Sequence, residues 1–148
     1  MIVVDANVFL RALIKPEDPG IQWMHEAATS LFDRAGRGEV MLTTSESVFA
    51  EIAFVLMSKS HYGRSVADTC ADMLTLVANP GLEFPGKPQV SLALSLWTQR
   101  PALGFVDALM AAHALTPGNE LATFDAIFER MPEINRLSWT SSDTSSPI

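Results

Sequence analysis

Four apolar stretches of this chain each hold a single carboxylate. Asp5 ends Met1-Ile2-Val3-Val4, Glu51 sits within Val48 to Leu56, Asp107 within Gly104 to Met110, and Asp125 within Leu121 to Phe128. A lone carboxylate in apolar surroundings is costly unless it is neutralised, paired or bound to a metal. The fold must therefore either separate these acids among individual partners or gather them at one place, and the chain has few cations near them in sequence to pair with.

Hydrophobic patterning shows how they can be gathered. Ile2 to Val4, β-branched and leading straight into Asp5, predicts a short buried parallel strand, with a helix over Ala6 to Ile14 that Asp5 can cap. Further helices are predicted at about Gln22 to Ala35, from Thr44 or Ser45 to about Lys59, from Ser65 to about Ala78, at Val90 to Gln99, at Phe105 to Leu115 and at Ala126 to Met131. Strands are expected at Val40 to Thr43, Leu82 to Phe84, Leu121 to Phe124 and Ile134 to Trp139. The alternation predicts an α/β fold with a mostly parallel central sheet of four to five strands flanked by about seven helices. One domain is expected over residues 1–139, followed by a polar, flexible tail over 140–148. The third helix is apolar nearly all round from Val48 to Met57, which places Glu51 in a buried setting and leaves it needing a partner such as Arg11.

In open parallel sheets, ligands collect beyond the carboxyl ends of the strands. Asp5 and Asp125 both follow strands, Asp107 lies in the first turn of its helix where the dipole favours an anion, and Glu51 has the longer side chain, so all four can converge. Oxygen donors without histidine or cysteine select Mg²⁺, with Mn²⁺ as the alternative. Such a site suits a phosphodiester substrate and needs no covalent nucleophile, because bound metal ions can activate water. Asn7 and Thr123 are placed to orient the ligands through hydrogen bonds. A phosphatase built on two aspartates two residues apart is disfavoured, since position 7 is asparagine.

The pieces Val4-Asp5-Ala6-Asn7-Val8, Glu51-Ile52, Val106 to Ala112 and Ala122 to Phe128 resemble the acidic motifs of PIN domains, and more narrowly those of VapC toxins of type II toxin–antitoxin systems. The resemblance covers the chain to about Leu137; Ala6 stands where threonine is common. It implies a Mg²⁺-dependent endoribonuclease with Asp5, Glu51, Asp107 and Asp125 as catalytic and metal-binding residues. A homodimer is implied too, with an RNA substrate and a cognate antitoxin whose C-terminal segment lies by the acids. The alternatives are a PIN-type nuclease acting on other RNA or structured DNA, and a non-catalytic module whose acids hold a basic partner segment.

The net charge of -7 argues against a broad basic face for phosphate backbones, although metal ions among the acids would make the local field less negative. Arg11, Lys15 and Arg100 are the candidate substrate contacts, being near Asp5 and Asp107 in sequence. A single cysteine, Cys70, excludes an internal disulfide and is expected to be a packed thiol. With no leader-like N-terminus and no long apolar run, the expected location is the cytoplasm, without membrane association. Trp23, Met24, Phe49, Phe54 and Met57 are expected to pack in the core, or else to form a dimer or antitoxin surface.

Overall fold

The structure is a computed structural model and describes residues 1–139; the polar tail expected at 140–148 lies outside the described residues. The chain opens with strand β1 (Ile2–Val3), followed by α1 (Ala6–Leu13), a 3₁₀ turn (Pro19–Ile21), α2 (Gln22–Gly36), strand β2 (Leu42–Thr43) and α3 (Glu46–Met57). Then come α4 (Val66–Val77), α5 (Lys87–Gln99), a 3₁₀ turn (Pro101–Leu103), α6 (Phe105–Ala114) and a last 3₁₀ helix (Ala126–Arg130). The fold is α/β with six α-helices rather than about seven, since the expected helix after Asp125 is a short 3₁₀ segment.

The sheet is much smaller than the sequence suggests. Two strands pair in parallel, with Ile2 opposite Leu42 and Val3 opposite Thr43. The expected strands at Leu82 to Phe84, Leu121 to Phe124 and Ile134 to Trp139 reduce to isolated bridges, Leu42 with Leu82 and Leu121 with Arg136. Apolar runs supply the residues of a strand, but a ladder also needs a neighbour in register. Leu82 gains one through the bonds Leu42 N–H to Gly81 O (2.7 Å) and Glu83 N–H to Leu42 O (2.9 Å), and no more. Nor is β1 buried as expected: Val4 is, but Val3 is 78% exposed.

The helices carry the core. Phe9 of α1 packs against Phe32 of α2 and Phe49 of α3, with ring centroids 5.2 and 5.5 Å apart, and Phe49 stacks on Phe84 at 5.1 Å. One continuous buried cluster runs from Val4 through these rings, Met73, Leu94 and Trp97 to Phe128, Met131 and Ile134. Phe49 is thus core, not partner surface. Close packing is enforced at Gly81, where an added Cβ would fall 2.3 Å from the Ala35 carbonyl oxygen. Cys70 is buried, and that burial raises its thiol pKa, partly offset by Thr98. Among the described residues no helix is long and apolar enough to cross a membrane.

Candidate functional site

Residues at the carboxyl edge of the strands are positioned by local hydrogen bonding. Thr44, directly after β2, is buried, and its hydroxyl donates to the Val4 carbonyl at 2.8 Å. This bond crosses between the two strand ends and fixes Asp5 relative to the start of α3. The Ser45 side chain makes no capping bond and its hydroxyl instead lies 2.7 Å from that of Ser47. Nothing in the sequence reading singled out Thr44 for this role; the available signal was a threonine immediately after an apolar strand.

Asp5 caps α1, its Oδ1 accepting the Val8 N–H at 3.2 Å. Asp125 does the same for the 3₁₀ helix at Ala126–Arg130, its Oδ1 accepting the Ile127 N–H at 3.0 Å. The two aspartates therefore share one capping pattern, although only Asp5 follows a strand. Each spends one oxygen holding its own orientation and leaves Oδ2 without a protein hydrogen bond among the described residues. Capping and ligation are compatible uses of such a carboxylate. The Thr123 hydroxyl accepts the Asp125 backbone N–H at 3.0 Å.

Asp107 lies in the first turn of α6 after Gly104, whose φ of 75° opens the helix. Its carboxyl is pushed above the ordinary aspartate range, chiefly by desolvation and secondarily by the charge of Asp125. The fold thus brings Asp107 and Asp125 close enough to repel, from positions eighteen residues apart in sequence. The positive end of the helix dipole eases that penalty without abolishing it.

Glu51 departs from expectation. It is exposed, because α3 buries Phe49, Ile52, Ala53 and Leu56 and turns Glu51 and Phe54 outward. The inference that it must have a buried partner such as Arg11 fails with it: no ion pair to Glu51 occurs among the described residues. The α3 segment around it instead walls a groove of about 550 Å³, with Ala50, Ala53 and Phe54 on one side and Gly104, Phe105 and Val106 on the other. Neither Glu51 nor Asp107 lines that groove; each only neighbours in sequence a residue that does, Ala50 and Val106.

The remaining candidates divide. Asn7 and Arg11 line a second groove of about 580 Å³ between α1 and α2, together with Trp23, Met24 and Leu31. Lys15 is exposed beyond the end of α1. Arg100 is tied down: its guanidinium donates to the Arg130 carbonyl at 2.9 Å and reaches Glu133 at 3.5 Å, so it anchors the segment that carries Asp125. His25 is half-buried, its Nδ1 2.6 Å from the Arg11 carbonyl, and His113 lies 3.0 Å from Glu46; both have structural partners.

Among the described residues no three acidic, histidine or cysteine side chains converge tightly enough to enclose a metal ion. A hydrated Mg²⁺ asks for less, because one or two carboxylates suffice when waters and substrate phosphates complete its shell. Asp107 beside Asp125, an all-oxygen pair with no protein cation on either, fits that requirement. No curated protein matches the chain. A family comparison matches residues 2–134 to the PIN domain, and PIN domains are generally metal-dependent nucleases. With that match spanning nearly all the described residues and the acids at the strand edge and helix starts, the chain belongs to the PIN domain family.

Proposed function

We propose that this protein is a Mg²⁺-dependent endoribonuclease, with Mn²⁺ as an alternative ion, and the VapC-type toxin of a toxin–antitoxin pair. The observation that carries the nuclease assignment is the PIN match over residues 2–134, joined by the partly buried Asp107, whose carboxyl is pushed upward by desolvation and by the charge of Asp125. Two like charges held together at an energetic cost mark a site built for something positive.

Asp5, Glu51, Asp107 and Asp125 would hold the ion, through water where a side chain falls short. Bound there, the ion supplies an activated water and charge neutralisation at the phosphate. The chain supplies orientation. Asp5 and Asp125 are locked by their capping bonds, Thr123 fixes the backbone before Asp125, and Arg100 clamps the following segment. Glu51, on the exposed face of α3, would complete the site partly through water. Asn7 would orient the ligands through a hydrogen bond, and Arg11, which lines the α1–α2 groove, would contact the RNA backbone together with the exposed Lys15 and with Arg100.

The partner surfaces follow from what the helices leave uncovered. Phe54, 71% exposed, overhangs the α3–α6 groove beside Val106 and is the face proposed for a homodimer. The α1–α2 groove, with Trp23 at 61% exposure and Arg11 at one end, is apolar enough for an antitoxin segment, and the net charge of -7 suits a basic one. A single domain over residues 1–139 acting in the cytoplasm completes the proposal.

Cleavage of matched RNA and DNA oligonucleotides, with Mg²⁺, with Mn²⁺ and with EDTA, tests it. RNA-only cleavage that EDTA abolishes supports the proposal. Cleavage of DNA alone, or metal-independent cleavage, contradicts it.

A further inference from the structure

Immediately before Asp125 stands a phenylalanine with no place in the core. Phe124 is 87% exposed, yet it is held: its ring stacks on Trp139 with centroids 4.7 Å apart and planes inclined by 23°. Trp139 is anchored in turn, its indole N–H donating to the Thr123 carbonyl at 3.3 Å. The same threonine's hydroxyl accepts the Asp125 N–H at 3.0 Å, so one residue sets both the aromatic pair and the acid. The pair borders a cleft of about 400 Å³ that also contains Asp125, Arg136 and Ser138. Arg136 is lightly used, its guanidinium 3.9 Å from an exposed Glu129.

We infer that the Phe124–Trp139 pair is a stacking platform for an unpaired base of an RNA substrate, with Arg136 contacting the adjoining phosphate. This rests on the ribonuclease proposal and deepens it. An exposed aromatic face offers every base a sequence-tolerant partner, but only a base already out of a duplex can use it. Phe124 and Asp125 are adjacent and line the same cleft, so a base stacked on Phe124 would bring its sugar-phosphate into the cleft that holds Asp125. The composition of the cleft favours a nucleotide over a protein partner. An aromatic pair set among Asp125, Glu129, Arg136 and Ser138 presents a stacking face, one cation, two carboxylates and a hydroxyl, whereas a protein hot spot is an apolar centre depleted of charge. The platform explains why a large aromatic occupies the position before a candidate ligand while contributing nothing to the core.

The test is fluorescence-anisotropy titration of a labelled ten-nucleotide single-stranded RNA and of a blunt RNA duplex, in Ca²⁺ to hold cleavage back. The proteins are wild type, Phe124→Ala, Phe124→Trp and Trp139→Ala, with near-ultraviolet circular dichroism confirming the fold. Phe124→Ala should weaken single-strand binding about 5- to 150-fold, the span found for losing one stacked base, while Phe124→Trp preserves it and duplex binding does not change. Single-strand affinity that is unchanged in both alanine variants overturns the platform. So does a change in oligomeric state with unchanged affinity, which assigns the pair to a protein interface. Wild type that cleaves RNA with Mg²⁺ while the alanine variants bind normally removes the platform and leaves the ribonuclease standing; wild type that neither binds nor cleaves RNA removes both.

Discussion

Replacing Thr44 with valine keeps the shape of the side chain and removes only the hydroxyl that donates to the Val4 carbonyl at 2.8 Å. Both residues are buried, so that carbonyl is left without the donor it had, and a buried group losing its partner costs about 1–3 kcal/mol. For a domain of this size each kcal/mol shifts Tm by roughly 2–4 °C, so Thr44→Val should melt about 2–12 °C below wild type. Thr44→Ser keeps the donor and loses one methyl, about 0.8 kcal/mol of burial, and should melt between the two. The bond also fixes where Asp5 stands relative to α3. A displacement near 1 Å at a reacting centre can lower activity about 100-fold, so Thr44→Val should lose nuclease activity at temperatures where it is fully folded. Thermal melts with parallel cleavage assays at 25 °C measure both effects. Thr44→Val that melts with wild type, or Thr44→Ser that falls as far as Thr44→Val, would refute the reasoning, because the hydroxyl would then be holding nothing.

Two further perturbations probe other links. Because the folded pKa of Asp107 lies above its unfolded value, the native state binds that proton more tightly, and stability contributed by the protonated form is lost as pH rises through the folded pKa. Asp107→Asn should therefore raise the Tm of metal-free protein at pH 7 by about 1–3 °C, the scale of a partly exposed charge contact. It should give no gain at pH 3, where the wild-type carboxyl is protonated; scanning fluorimetry in EDTA across pH checks the sign, and a lower Tm at pH 7 would contradict it. Gly81→Ala drives a Cβ to within 2.3 Å of the Ala35 carbonyl oxygen, a backbone atom that has nowhere to go. Overpacking of this kind costs about 1–3 kcal/mol, so urea denaturation should show a lower midpoint with little change in slope.

The helices were legible in the sequence because their apolar spacing and caps act locally. Ser65 caps α4 by accepting the Asp68 N–H at 3.1 Å, and α2, α5 and α6 lie within a few residues of expectation. Strands were legible as segments but not as ladders, since pairing depends on what lies alongside. Leu121 meets Arg136 at one bridge and Leu82 meets Leu42 at one, although both runs have apolar ends that suit a strand. Glu51 shows the limit of composition. A helix apolar on most of its surface predicts burial all round, yet burial of apolar residues is a one-way rule, and Phe54 near Glu51 faces outward. The acids stand out in the sequence by their isolation, whereas the influence of Asp125 on Asp107 emerges only in the folded chain. The hydrogen bonds of Thr44 and Arg100 that set the geometry were not visible, because each joins segments at least thirty residues apart.

Asp5 offers the most direct measurement, since its two roles separate cleanly by substitution. Asparagine caps a helix about as well as aspartate, so Asp5→Asn should keep the bond to Val8 and a wild-type Tm, while Asp5→Ala should lose about 1 kcal/mol with the cap. RNA cleavage with Mg²⁺ by these two variants and wild type decides the matter. The expected result is activity reduced to background in both variants, with only Asp5→Ala less stable. Cleavage by folded Asp5→Asn at the wild-type rate would contradict the assignment, leaving Asp5 a helix cap and nothing more.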